Sequence, residues 1–377
     1  MIACSAIMIK TLVGYSEFCL SGKLLTSFLI VIGWISPLLL GWIRKHNYID
    51  GMLYQYIHNI GYYLFGLVFI LFILLIFRDI IWFASYMVAK SFKADVPWLN
   101  PLNAAMLTRA NIVTFLLSLC ISFYAVYEAV RIPRVKKIEY TSSIIQNDYN
   151  IVQLSDLHIN RASSKDWLKN VINTANTLNP DIIVLTGDVI DDRMKYLDEY
   201  MDILQQLKAK YGIYFSMGNH EYYNDLPSIL RKLHKMPIKI LLNEGINVDN
   251  SELFIAGIPD KHTAITNSYL AADFKKILKN VNKNNYRILL SHSPDMVEHV
   301  TKDAFDLVLS GHTHGGQIFP FNYLAQKANK YLAGSYKVNG VDLYVSRGTG
   351  FWGPPLRLLA DSEITVITVK SQNKQEE

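Results

Sequence analysis

The sequence predicts a chain in two parts: N-terminal transmembrane helices, then an α/β sandwich with mixed sheets. Three observations carry this. Long uncharged apolar stretches lie before residue 131. After residue 137, short apolar runs alternate with amphipathic stretches, the pattern of strands and helices packed in layers. Of the 377 residues, 51% are hydrophobic and 18% charged, whereas globular chains average about 25% charged. Part of this chain is therefore suited to lipid or to a large core.

Residues 1–130 read as a membrane anchor of about three helices, near 24–43, 62–86 and 111–130. Leu24 to Ile43 is twenty uncharged residues between Lys23 and Arg44, matching the roughly 20 needed to cross a bilayer. "YYLFGLVFILFILLIF" at Tyr62–Phe77 begins the second span. Arg78-Asp79 follows. Inside lipid that pair is a functional candidate; the simpler reading places it at the interface. "NIVTFLLSLCISFYAVY" is the third and shortest span, with a buried core helix as its alternative. Residues 1–23 are interrupted by Lys10 and Glu17. They fit a further span, an interfacial helix or a misplaced start, and do not read as a cleavable signal peptide.

Basic residues flanking the spans nearly balance, five against six. The cluster "RIPRVKK" after the third span tips the C-terminal part toward the cytoplasm, in a multi-pass protein of the cell membrane. The same cluster would attract anionic headgroups of the lipid bilayer. The net charge of +5 is mild and spread, so no nucleic-acid partner is expected. Cys4, Cys19 and Cys120 form no disulfide framework.

Residues 137–370 form the second part, and 371–377 a disordered tail. "NIVQLS" reads as a strand, followed by a helix from Ser164. "DIIVLTGD" is a strand, then a helix through Tyr200. "GIYFSMGNH" is a strand and turn, with a helix from Asp225. "ELFIAGIPD" is a strand, with a helix near Asp273. "YRILLSHSPD", "DLVLSGHTHGG", "DLYVSRGTG" and "EITVITV" complete the strands.

The chemistry collects at the ends of these strands. Asp156 and His158 share one face of extended backbone. Asp188 follows "IIVLTG"; Asn219, His220 and Glu221 follow "YFSMG"; His292 follows "RILLS"; His312 and His314 lie in "GHTHGG". Any one of these has a bland reading: Asp188 as a helix cap, Asn219 as a turn residue, His292 as a loop histidine. Together at five strand ends they point to one crevice, because ligands of open α/β sheets bind beyond the carboxyl ends of the strands. Carboxylate, imidazole and amide donors suit Mn, Fe, Zn or Co. So many candidate ligands exceed one ion and suit two divalent metal ions bridged by a carboxylate. Such a pair activates hydroxide and clamps a phosphoryl group. The expected reaction is hydrolysis of a phosphate ester or anhydride.

As a set, "DLH" (156–158), "GDVIDD" (187–192), "GNHE" (218–221), "SHSP" (291–294) and "GHTHGG" (311–316) resemble the calcineurin-like metallophosphoesterase superfamily. The N-terminal spans and "SRGTGFWGPPLRLL" look like a bacterial membrane-anchored subgroup. Its relatives include pyrophosphatases of UDP-2,3-diacylglucosamine in lipid A biosynthesis. The resemblance implies a four-layer α/β/β/α sandwich and a hydrolase of phosphodiester or pyrophosphate bonds. Asp156, His158 and His314 would hold one metal; Asn219, His292 and His312 the other; Asp188 would bridge both. His220 would not ligate but would face the scissile phosphate as the catalytic residue, to protonate the leaving oxygen or steady the transition state. Asp191 and Glu221 would orient ligands from behind. Asn160 departs from the glycine many relatives carry there.

Arg347 and Arg357 in "RGTGFWGPPLRL", and Phe319, Phe321, Tyr323 and Leu324 in "HGGQIFPFNYL", read equally as a substrate wall or as packing. The expected substrate is a phosphorylated small molecule at the membrane surface, lipid-linked as in UDP-2,3-diacylglucosamine. The rivals are a general phosphodiesterase or phosphomonoesterase of soluble substrates, and a non-catalytic metal-binding membrane scaffold.

Overall fold

The structure, a computed structural model, describes residues 1–14, 16–46, 49–100, 103–266, 271–282 and 284–372. The chain divides into two compact units. The first is Met1–Tyr127 with Gly353–Leu356; the second is Glu128–Trp352 with the chain from Arg357 onward. Of the tail expected to be disordered, residues 373–377 lie outside the described residues.

The first unit is helical. Helix α1 (Ile2–Ile9) continues as a wider turn to Gly14 and is too short to cross a bilayer. Helices α2 (Leu20–His46), α3 (Gly51–Ser91) and α4 (Ala104–Val130) are long and apolar enough to do so. Met8, Leu12, Ile30, Trp34, Val68 and Leu71 are buried together. Glycines bring α2 and α3 close: a Cβ at Gly33 would stand 2.6 Å from Val68 Cγ2, the small-residue contact that lets apolar helices approach. All three helices outrun their apolar windows, because helical hydrogen bonding does not stop where lipid compatibility does. Arg78-Asp79 therefore lies inside α3, not at its end. The Arg78 guanidinium bonds to Asp79 and to Asn111 Oδ1 of α4, so its charge is paired within the helical unit.

The second unit is two six-stranded sheets face to face. The strands are β1 (Arg134–Ser142), β2 (Tyr149–Leu154), β3 (Ile182–Thr186), β4 (Ile213–Ser216), β5 (Ile238–Ile240), β6 (Glu244–Asn247), β7 (Leu253–Gly257), β8 (Tyr286–Leu290), β9 (Leu307–Ser310), β10 (Gly334–Val338), β11 (Val341–Val345) and β12 (Glu363–Ser371). One sheet runs β1-β12-β2-β3-β4-β5, the other β10-β11-β9-β8-β7-β6. Side chains alternate across each strand. Ile151, Ile182, Val184, Ile255, Ile288 and Leu309 fill the space between the sheets. Val152, Ile183, Leu185 and Phe215 turn outward to α5 (Lys165–Thr177), α6 (Asp198–Leu204) and, after α7 (Asn219–Tyr223), α8 (Leu226–Leu233). Both faces are covered, which is why β3 and β4 read as unbroken apolar runs.

Ser164, Asp225 and Asp273 cap α5, α8 and, after α9 (Lys261–Thr266), α10 (Phe274–Ile277) through their side chains. Arg134, Lys136 and Lys137 belong to β1, an edge strand paired in parallel with β12. Charged side chains on an edge strand discourage further pairing.

Candidate metal centre

Strands β2, β3, β4, β8 and β9 end on the same side of the sandwich, and each end is turned by a polar residue. Asp156, His158, Asp188, His312 and His314 all hold positive φ, between 47° and 72°. Asp, Asn and His tolerate that conformation better than apolar residues do, so the strand can break sharply and aim a ligand sideways. Close approach fixes the glycines beside them. A Cβ at Gly311 would lie 1.9 Å from Ser155 Oγ, and one at Gly218 would lie 2.2 Å from Asp188 Oδ1.

The residues anticipated as ligands come together in two groups. In the first, His158 Nε2 lies 3.0 Å from His314 Nε2, and His314 Nε2 lies 3.4 Å from Asp156 Oδ1. In the second, His292 Nε2 lies 3.1 Å from both His312 Nδ1 and Asp188 Oδ2. Asp188 Oδ2 is also 3.8 Å from His158 Nε2, so this one oxygen faces both groups. The other, Oδ1, accepts the His220 backbone N–H at 2.8 Å. Asn219 is buried, and its Oδ1 has no hydrogen-bond partner.

These features fit divalent cations. A buried amide oxygen without a partner is costly, and a cation satisfies it. His292 Nδ1 lies 2.8 Å from the Thr186 carbonyl, which fixes the proton there and leaves Nε2 free to ligate. Burial, with His292 nearby, lowers the His312 pKa to about 3. Burial likewise holds His314 well below the ordinary value, so both present neutral imidazoles. Burial opposes charge on His292 and Asp188 too. Their mutual attraction outweighs it, raising the imidazole and lowering the carboxyl.

His220 sits at the edge of this cluster, with Nε2 4.0 Å from Asp188 Oδ2. Its Nδ1 bonds to Asp191 Oδ1 at 3.0 Å, while Asp191 Oδ2 is 3.5 Å from His158 Nδ1. Asp191 thus braces His158 and His220 together. Burial would lower the His220 pKa, but Asp191, then Asp188 and Glu221, raise it to about 9. The Trp352 ring stands 5.8 Å from the His220 ring. Trp352 is held there by Gln317, whose side-chain amide bonds to both its backbone N–H and its carbonyl. Glu221 is fully buried and accepts the backbone N–H groups of Asp188, Ile190 and Gly218. Asn160, the departure from the family pattern, bonds to the His158 carbonyl and the Ala162 N–H and forms a local turn.

The two arginines of the closing loop separate. Arg347 is exposed. Arg357 is fully buried and donates to the carbonyls of Gly350, His314, Ala360 and Arg347. It latches the loop to His314 rather than reaching for phosphate. Sequence reasoning also missed Asp260. That residue follows the apolar strand β7 as Asp188 follows β3, so the signal was present. Asp260 accepts from His262 Nδ1 at 2.7 Å and from the Ser293 hydroxyl, and the His262 ring lies 5.5 Å from that of His312.

The calcineurin-like phosphoesterase family model matches residues 149–316. A metallophosphoesterase of Campylobacter jejuni is 36% identical over 258 residues, 68% of each chain. One of Helicobacter pylori is 34% identical over 250 residues, 66% of this chain and 67% of that one. A transmembrane protein with metallophosphoesterase domain from Danio rerio is 32% identical over 275 residues, 70% of this chain and 63% of that one.

Proposed function

This chain belongs to the calcineurin-like phosphoesterase family and is a metal-dependent phosphoester hydrolase; we propose that two divalent ions work in its centre, that it is anchored in a membrane, and that its substrate is a lipid-linked phosphodiester or pyrophosphate. The observation that carries the two-ion reading is Asp188 Oδ2, which faces both ligand groups while Oδ1 is tied to backbone. Asp156, His158 and His314 would hold one ion, and Asn219, His292 and His312 the other. Bound there, the ions would supply an activated water and neutralise charge on the phosphoryl oxygens.

The chain's own groups do the rest. Held protonated by Asp191 and Asp188, His220 donates from Nε2 to the leaving oxygen, since Asp191 occupies Nδ1. A positioned acid of this kind contributes about 10²–10⁴ in rate. Trp352 walls the His220 side, and Arg347 offers a cation to the substrate.

Three helices of membrane-crossing length support the anchor, and with it a multi-pass arrangement; the basic residues after α4 favour a cytoplasmic catalytic unit. Mn, Fe, Zn and Co all suit the donor set. The test compares wild type with Asp188→Asn and His220→Ala, loaded with Mn, on bis(p-nitrophenyl) phosphate and on UDP-2,3-diacylglucosamine. Asp188→Asn is expected to lose metal. His220→Ala is expected to keep it and to turn over about 10²–10⁴ more slowly. Unchanged turnover in both contradicts the mechanism, and equal rates with and without detergent contradict a lipid-linked substrate.

A further inference from the structure

Beside the ligand cluster stands a second carboxylate–imidazole pair, Asp260 and His262. Asp260 is buried, and its carboxylate accepts the His262 backbone N–H at 2.9 Å, His262 Nδ1 at 2.7 Å and the Ser293 hydroxyl. Burial would raise its pKa, but the His262 hydrogen bond, His292 and Ser293 hold it below the ordinary value. A carboxylate in this state accepts only, so the shared proton belongs to Nδ1. Nε2 is left over. It has no hydrogen-bond partner among the described residues, and 36% of the His262 side chain is exposed.

The pair is tied to the loop that carries a predicted ligand. Ser293 follows His292, and Lys261 Nζ pairs with Asp295 Oδ2 at 2.6 Å. These ties hold the His262 ring 5.5 Å from that of His312. His220 is built the same way at the other group, with Nδ1 on Asp191 and its ring 4.6 Å from that of His158. His262 belongs to none of the groups whose donor atoms lie within 4.8 Å of one another, so it stands where a bound substrate would pass rather than where a ligand sits. A buried carboxylate costs stability even when paired, and orienting a partly exposed ring returns none of that to folding.

We propose that His262 is a second substrate-contacting residue, which donates from Nε2 to a phosphoryl oxygen. The proposal rests on the phosphohydrolase reading and adds a residue to its site. An imidazole between two anions, the Asp260 carboxylate and the phosphoryl oxygen, carries a proton on each nitrogen, and both hydrogen bonds are charge-assisted. The phosphoryl group then meets one histidine beside each ligand group: His220 serves the leaving oxygen, and His262 holds an oxygen that stays on phosphorus. Asp260 acts through His262 as a positioning residue.

The test uses the full-length Mn-loaded protein in detergent, with bis(p-nitrophenyl) phosphate as substrate and inorganic phosphate as competitive inhibitor. His262→Ala should weaken phosphate and raise KM together by about ten- to a hundredfold, the worth of a hydrogen bond to a charged group, with kcat changed far less. His262→Gln keeps an N–H donor and should recover part of the phosphate affinity, whereas His262→Leu should not. Asp260→Asn should weaken phosphate in the wild-type background and cost little more once His262 is alanine, the non-additivity of residues acting as a unit. Mn affinity of His262→Ala, read by isothermal titration, should match that of wild type. A loss there makes His262 part of the cation site and overturns the proposal, as do equal losses in the Gln and Leu variants. Unchanged KM and phosphate inhibition in His262→Ala overturn it too, and leave the phosphohydrolase reading standing. Absence of phosphodiester hydrolysis in the wild type overturns both.

Discussion

Asp188 shows how much the state of the centre depends on single atoms. Without a cation, its carboxylate and His292 form a buried ion pair, lowered and raised respectively by each other against the effect of burial. A cation that takes both ligands must displace the imidazole proton. Metal binding near neutral pH is therefore expected to release protons, measurable by calorimetry in buffers of different ionisation enthalpy; equal heats in all buffers would contradict the pair. His220 acts in the opposite sense. In the proposed mechanism its protonated form is the active one, so kcat should fall as pH rises through an apparent pKa no higher than about 9, since nearby cations can only lower it. His220→Ala should lack that alkaline limb. Glu221 offers a third handle. Its two oxygens accept three backbone N–H groups, and burial with Asp188 nearby raises its pKa to about 7. Glu221→Gln turns an N–H₂ toward a donor, at a cost of about 1–3 kcal/mol; a lower melting temperature with weaker metal binding is the expected result.

Residue types and spacing made this cluster visible, because an Asp or His after an apolar run is a small set of possibilities. The carbonyl of Thr186, which sets the His292 tautomer, has no signature in sequence, since every residue owns a carbonyl. Arg357 was visible as a residue but not as a latch, because burial and hydrogen-bond partners are tertiary facts.

At the scale of elements, β2, β3, β4, β7, β8, β9, β11 and β12 follow from apolar runs bounded by turn residues. The exposed edge strand β1 and the short strands β5, β6 and β10 carry no such run, and pairing with a neighbour creates them. Helix α11 (Phe321–Asn329), which leaves Phe321, Tyr323 and Leu324 exposed, was likewise hidden in an apolar stretch. The turns after β2 and β9 are interlocked, as the 1.9 Å separation between a Gly311 Cβ and Ser155 Oγ shows. Gly311→Ala must push these loops apart, and overpacking of this kind costs about 1–3 kcal/mol or more. It is expected to weaken metal binding at the Asp156 group, read by isothermal titration, while far-ultraviolet circular dichroism stays that of wild type.

For the whole molecule, the cluster concentrates strained backbone and an unpaired amide oxygen in one place, so cations and fold should be linked. A ligand at a thousand times its dissociation constant adds about 4 kcal/mol per site. Chelation should lower the melting temperature and added Mn should restore it, with Asp188→Asn insensitive to both. The hydrophobic composition announced the apolar helices, whereas the ends of each helix depended on hydrogen bonding beyond the apolar window. The measurement that bears most directly on the account is anomalous diffraction from Mn-loaded protein. Two peaks about 3.5–4 Å apart, with Asp188 between them and Asn219 Oδ1 at one, is the predicted result. A single peak, or ions seated away from Asp188, would contradict it.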